Sequence, residues 1–328
     1  MNAFQQIMGH KEIKEYFLKG IKADKIGHSY LFEGPKGVGK KLFAKEFAKI
    51  LLCEEKEGAP CNQCKSCVMV EKGTHPDYLL VEKDTKVTKI DTIREKLVRN
   101  MEIKPYQGNY KIIVIEDADT LTVEGQNAML KTIEEPPHYG ITILISTNRA
   151  KLLPTILSRC ILLRFNALSS NEMNGYLEKK GIISPKKEIY AQFAQGSIGK
   201  AKELIEEEGF WEKRERAISF HKRLEEADLI QVYDLVKELS ELKEDLPELL
   251  DFWLLWYRDL AMIKSKGTNH LYYPDYQSML LGKASKLTYN KISINLELIQ
   301  KAKRELEQNI YTTFIIENLL LKLKERKK

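Results

Sequence analysis

Along the first half of the chain, short apolar runs alternate with segments whose apolar positions recur every three or four residues. The runs are "HSYLFEG", "DYLLVE", "YKIIVIEDAD", "GITILIST" and "CILLRF". Each has strand length, and continuous apolar character predicts strands buried on both faces of a parallel sheet. Between them, "KKLFAKEFAKILL" sets Phe43, Phe47, Ile50 and Leu51 on one side of a helix. "VEGQNAMLKTIEEPP" predicts a helix that stops at its prolines, which donate no N–H and clash with the preceding turn. This order is that of an α/β domain, expected over residues 1–166.

From about residue 167 the strand signals stop. "LSSNEMNGYLEKKGI", "KKEIYAQFAQGS" and "IGKAKELIEEE" predict a small helical unit over 167–208. Long helical patterns then run from 209 to 328 and predict a third, all-α domain. The closing "KLKERKK" is read as a solvated helix end.

Composition narrows the class without choosing a function. With 43% hydrophobic and 30% charged residues, the chain is that of a globular protein. The balance of 53 Lys and Arg against 47 Asp and Glu tolerates a nucleic-acid partner but does not demand one. The most apolar helical stretch, "LLDFWLLWYRDLAMI", contains Asp251, Arg258 and Asp259, which argues against a membrane span. The start shows no apolar secretory core, so a cytosolic protein is expected.

Candidate chemistry sits in four places. "GPKGVGKKLF", between the first strand and a helix, has the glycines and lysine of a phosphate-binding loop in Gly34, Gly37, Gly39 and Lys40. Backbone amides and a helix N-terminus favour phosphate oxygens there. Lys41, however, stands where a hydroxyl should hold Mg²⁺. "KIIVIEDAD" ends a strand in acids, but in the order Glu116 then Asp117, where a working site wants Asp before Glu. Cys53, Cys61, Cys64 and Cys67 form C-x7-C-x2-C-x2-C, a spacing that suits one structural Zn²⁺ held by four thiolates. "LPTILSRC" carries Arg159, for which the sequence suggests no local partner. The histidines His10, His28, His75, His138, His221 and His270 show no ligand spacing.

The loop, the cysteine quartet, "NAMLKTIEEPP" and "TILSRC", in this order, resemble the bacterial DNA polymerase III clamp-loader family of AAA+ proteins. The resemblance covers about residues 1–205. It implies an α/β AAA+ (P-loop NTPase-like) domain with a zinc module at 53–67, a helical lid, and an all-α C-terminal oligomerisation collar. The implied partners are tau/gamma and delta subunits, with a sliding clamp and primed DNA reached through the complex. It also implies that Arg159 projects into a neighbouring subunit's nucleotide site, and that Thr147 lies where the family senses phosphate. "GTHPDY" favours the branch of the family that does not hydrolyse ATP, and so does "GSIGKA", where Gly199 replaces the γ-phosphate-contacting arginine of tau/gamma. Hydrolysis needs Mg²⁺, a positioned water and a charge-stabilising arginine. Misplacing a group by ~1 Å can cost ~100-fold in rate. The departures therefore argue against turnover and leave ATP binding open. A tau/gamma-like ATPase with an unorthodox loop is the alternative.

Overall fold

The computed structural model describes residues 3–55, 58–82, 93–242, 245–267, 271–308 and 310–324; His270 and the tail from residue 325 lie outside them. Five parallel strands form one sheet: β1 (Ser29–Glu33), β2 (Tyr78–Val81), β3 (Lys111–Ile115), β4 (Gly140–Ser146) and β5 (Ile161–Arg164), in the spatial order β2-β3-β4-β1-β5. All five predicted strands are present. Register is fixed by pairs such as Ser29 with Thr142 and Lys111 with Gly140.

Period-two alternation explains why these strands need helices on both faces. Tyr30, Phe32, Ile112, Val114, Ile141, Ile143 and Ile145 join one buried cluster with Phe17 of α1 (Lys11–Lys22) and Phe43 and Phe47 of α2 (Lys40–Leu52). Leu31, Ile113, Ile115 and Leu144 join the opposite cluster with Met129 and Ile133 of α4 (Val123–Glu134). Between α2 and α4 lies the short helix α3 (Lys65–Lys72). One expectation needs correction: β5 is half-exposed, because among the described residues it is an edge strand paired with β1 alone. Helix α4 ends at Glu134, before Pro136 and Pro137, as the sequence predicts.

The remaining described helices of nine residues or more are α5 (Ser170–Lys179), α6 (Lys186–Ala194), α7 (Ile198–Glu206), α8 (Phe210–Glu226), α9 (Leu229–Glu241), α10 (Leu246–Lys264), α11 (Gln277–Lys286), α12 (Tyr289–Glu307) and α13 (Thr312–Lys324). The chain groups into two compact units, Met1–Gly181 with Ala194–Ala201, and Ile182–Phe193 with Lys202–Lys328. The segment between the sheet and the long helices is thus divided. Ser197 and Gly199 bond to the phosphate-type loop, while Phe193 packs its ring among Phe210, Phe252 and Tyr272.

The second unit is built around α10, whose Trp253 and Trp256 are buried. Trp253 Nε1 donates to Ala217 O at 2.8 Å. Arg214 of α8 is fully buried and pairs with Asp275 through both terminal nitrogens, at 2.8 and 2.5 Å. Its guanidinium also lies 4.6 Å from the centre of the Tyr273 ring. None of the described helices is long and apolar enough to cross a membrane.

The chain's three tryptophans, Trp211, Trp253 and Trp256, all fall in the second unit, so their fluorescence reports its unfolding separately. Removing one partner of a buried ion pair is strongly destabilising. Arg214→Ala is expected to lower the stability of this unit by about 3 kcal/mol, read as an earlier urea midpoint of tryptophan emission. An unchanged midpoint would mean that the Arg214–Asp275 pair contributes nothing net.

Candidate functional site

Crossover connections put the C-terminal ends of parallel strands on one edge of the sheet, where α/β folds bind ligands. Here β4 lies between β1 and β3. The glycine loop after β1 and the acids after β3 therefore flank the end of β4, where Thr147 sits.

The loop is held by its own chain at every carbonyl from 34 to 38. Lys40 Nζ donates to Gly34 O and, at 2.7 Å, to Pro35 O. Ser197 Oγ donates to Lys36 O at 3.0 Å, Gly199 N to Gly37 O at 2.8 Å, and His10 Nε2 lies 2.9 Å from Val38 O. Gly34 N donates to Ser146 O at 3.2 Å, and the amides that follow it in the loop are the kind of donor a phosphate would use. Gly37 and Gly39 have φ of 76° and 102°, a region that glycine enters without steric cost. Gly34 is required by contact instead: a Cβ there would lie 2.0 Å from Phe165 O.

Lys40 is only 5% exposed. Burial pushes its pKa below the ordinary lysine range, against the pull of Asp119, Asp117 and Glu116. Its ammonium caps the loop's own carbonyls, so reaching a phosphate requires it to swing away from them.

Lys41 turns to the acids. Its Nζ lies 2.6 Å from Glu82 Oε1, at the end of β2, and 2.9 Å from Glu116 Oε2, at the end of β3. Burial works against the Lys41 charge, but the hydrogen bonds to Glu82 and Glu116 outweigh it and hold the pKa above the ordinary lysine range. Glu82 is held below the usual carboxylate range by its hydrogen bond to Lys41. A fixed cation thus bridges the strand-end carboxylates that a divalent metal would otherwise draw together. Asp117 adopts a left-handed conformation, φ 49°, and its carbonyl accepts from Thr120. Thr147 Oγ1 donates to Asp119 Oδ2 at 2.8 Å, and its N–H to Oδ1 at 3.2 Å. The neighbouring Asn148 caps a short turn through Ala150 N.

Two of these carboxylates, Glu82 and Asp119, were missed in the sequence reading. Both lie inside runs already recognised as strand ends, "DYLLVE" and "EDAD", and only the sheet order reveals that they face Lys41 and Thr147. Gly199 meets the loop directly. A Cβ on Gly199 would lie 2.8 Å from Gly37 Cα, so any side chain there would force the helix off the loop.

Arg159 does have local partners, contrary to the sequence reading. Its Nε lies 2.9 Å from Glu134 Oε1, and its Nη1 donates to Thr155 O and Ser158 Oγ, both at 3.0 Å. Its side chain remains 40% exposed and that of Glu134 42%. Next to it, burial pushes the Cys160 thiol up to about 12, which removes it as a nucleophile near neutral pH.

The sulfurs of Cys53, Cys61, Cys64 and Cys67 all lie within 4.8 Å of one another. Tetrahedral Zn–S bonds of about 2.3 Å set sulfurs about 3.8 Å apart, so the four-thiol donor set fits one such ion. Cys53 follows α2, Cys64 caps α3, and Cys67 is in its first turn. The amides of Gln63 and Cys64 lower the Cys61 thiol to about 7. The cluster is tied to α2 by Lys49, buried at 3% exposure, which contacts Glu46 at 2.8 Å, Glu71 at 2.5 Å and Asn62 at 3.2 Å.

A family model described as "DNA polymerase III, delta subunit" matches residues 9–169. The DNA polymerase III subunit delta′ of Bacillus subtilis is 28% identical over 319 residues, covering 95% of this chain and 95% of its own. The delta′ subunit of Pseudomonas aeruginosa is 39% identical over 137 residues, 41% of this chain and 42% of its own. The tau/gamma subunit of Haemophilus influenzae is 35% identical over 202 residues, 60% of this chain but 29% of that protein. The chain is thus similar along nearly its whole length to a DNA polymerase III delta-prime subunit, and over residues 9–169 to the family model described as a DNA polymerase III delta subunit.

Proposed function

We propose that this chain is the stator of a clamp loader: it assembles with tau/gamma and delta subunits, turns over no ATP itself, and presents Arg159 to the nucleotide site of a neighbouring tau/gamma subunit. The complex would then load a sliding clamp onto primed DNA in the bacterial cytoplasm. The observation that carries this reading is the Lys41 ammonium seated between Glu82 and Glu116. Admitting Mg²⁺ beside Glu116 would set a dication against that ammonium, and Lys41 offers no lone pair as a ligand while protonated. Gly199 adds a second reason, since an arginine in its place would begin with a clash against the loop. Arg159, by contrast, is exposed and outside its own loop site, as a group acting on a neighbour must be.

In this reading residues 1–166 are an AAA+ domain with a structural zinc module at 53–67, residues 167–208 its lid, and residues 209–328 the collar. Exposed Leu229, Ile230 and Tyr233 on α9, with Tyr311 and Phe314 at α13, give the last segment the apolar surface that a subunit contact needs. ATP binding, if retained by the loop amides, would be weak and nearly independent of Mg²⁺.

The zinc reading is tested by metal analysis. Freshly purified protein should carry one zinc per chain. Chelation should release it, expose four titratable thiols, and lower the melting temperature of the sheet unit, because metal binding contributes folding free energy. Well under one zinc per chain, with the four thiols already free, would count against it.

The isolated chain should show no ATPase above background. Turnover that disappears in Lys40→Ala would overturn the stator reading in favour of a tau/gamma-like ATPase.

Arg159→Ala should leave folding, zinc content and ring assembly intact and lower ATP hydrolysis by the reconstituted complex only in part, because one of its sites is affected. Arginine fingers supplied in trans are worth ~10³ to 10⁵ at their own site. Arg159→Lys should rescue poorly, since an ammonium lacks the planar fork. Equal clamp-loading rates for wild type and Arg159→Ala, with complete assembly confirmed, would return Arg159 to an ordinary surface role.

A further inference from the structure

The function proposed so far leaves "IEEPP" without a task beyond ending a helix. Its first glutamate is the last residue of α4, and Glu135 already departs from helical geometry, with φ −122° and ψ 62°. A carboxylate at a helix C-terminus faces the negative end of the helix dipole and is unfavourable there unless a cation compensates. Lys131 puts one cation in the same last turn, and Arg159 is the cation in direct contact with the Glu134 carboxylate. The short helix Pro154–Leu157 packs against α4 and brings the two together.

We propose that Glu134 is a positioning residue for Arg159, an inference that rests on Arg159 acting on a neighbouring nucleotide site. The contacts divide the guanidinium into a held side and an available one. Nε is fixed by Glu134 at 2.9 Å, and Nη1 by Thr155 O and Ser158 Oγ at 3.0 Å each. Ser158 is itself anchored, donating to Thr155 O at 3.0 Å. These contacts leave Nη2 for an external acceptor. An arginine held in this way gives up its rotamer freedom before it meets a phosphate instead of during the reaction, which is preorganisation. Exposed ion pairs contribute little to stability, so the role of this pair lies in geometry and not in holding the fold together. The proline stop of α4 sets where the carboxylate ends up, and the task of "IEEPP" becomes the placement of Glu134.

The test uses the complete reconstituted complex with clamp and primed DNA, measuring steady-state ATP hydrolysis at the affected site. Glu134→Ala should lower kcat by about 2- to 10-fold, the size of one long side chain's ordering entropy, with KM for ATP unchanged. Glu134→Gln keeps an acceptor oxygen for Nε and should restore most of the rate. In an Arg159→Ala background, Glu134→Ala should have no further effect. If Arg159→Ala itself changes nothing, the trans reading fails, and this inference with it. If Arg159→Ala lowers turnover while Glu134→Ala matches wild type, the positioning role alone is overturned. It is equally overturned if Glu134→Ala raises turnover, which would make the pair a brake, or if the two substitutions lower the rate independently. Native mass and thermal melting of each variant confirm that assembly and folding are retained.

Discussion

A parallel strand can be followed by another only through a crossover, so every strand in this sheet delivers its C-terminus to the same edge. That constraint governs the functional chemistry. Glu33, Glu82, Glu116 and Thr147 belong to four different chain segments, yet each follows or ends a strand at that edge. The order β2-β3-β4-β1-β5 then decides who meets whom. Glu82 and Glu116, on adjacent strands, share Lys41, while Asp119 takes Thr147 from the end of β4.

Within that frame, the chain has kept the architecture of a phosphate site while altering its electrostatics. The glycines still impose the turn, and Lys40 still follows it. The Glu82 and Glu116 carboxylates, however, share the single Lys41 ammonium, and Lys40 is folded onto its own loop. Where the phosphate-loop pattern asks for a hydroxyl, this chain has the Lys41 ammonium, which lies between Glu82 and Glu116. The same loop is fastened from outside by His10, Ser197 and Gly199. It therefore has a structural role in holding Ser197 and Gly199 against the loop, whether or not a nucleotide binds.

The cysteine cluster and the arginine show how accessory chemistry is attached to this frame. Each is mounted on a helix end: Cys53 after α2, Cys64 before α3, Glu134 at the close of α4. Helix ends are where side chains and free backbone groups are least committed to the helix itself. Lys49, buried in α2, reaches Asn62 in the cysteine loop and Glu71 on α3, so the metal-type cluster is braced by an ion network at its base.

What the sequence determined by itself was whatever is encoded in local periodicity and spacing. Apolar runs and helical periodicity were enough for the five strands and for the helices at 40–52 and 123–134, and the cysteine spacing was enough to mark a four-thiol cluster. Lys41 and Gly199 were visible as departures from a motif. Their consequences were not. That Lys41 would be neutralised by Glu82 as well as Glu116, and that Gly199 would press against Gly37, depends on which strand and helix ends become neighbours. Arg159 and Glu134 made the same point in reverse. Each lay in a recognisable motif, yet nothing local joined them, because their contact exists only where the proline-ended helix meets the 154–157 turn. Local patterns fix elements through backbone geometry and one-sided burial. Contacts between element ends are set by sheet order and helix packing, which is why only the tertiary structure could decide them.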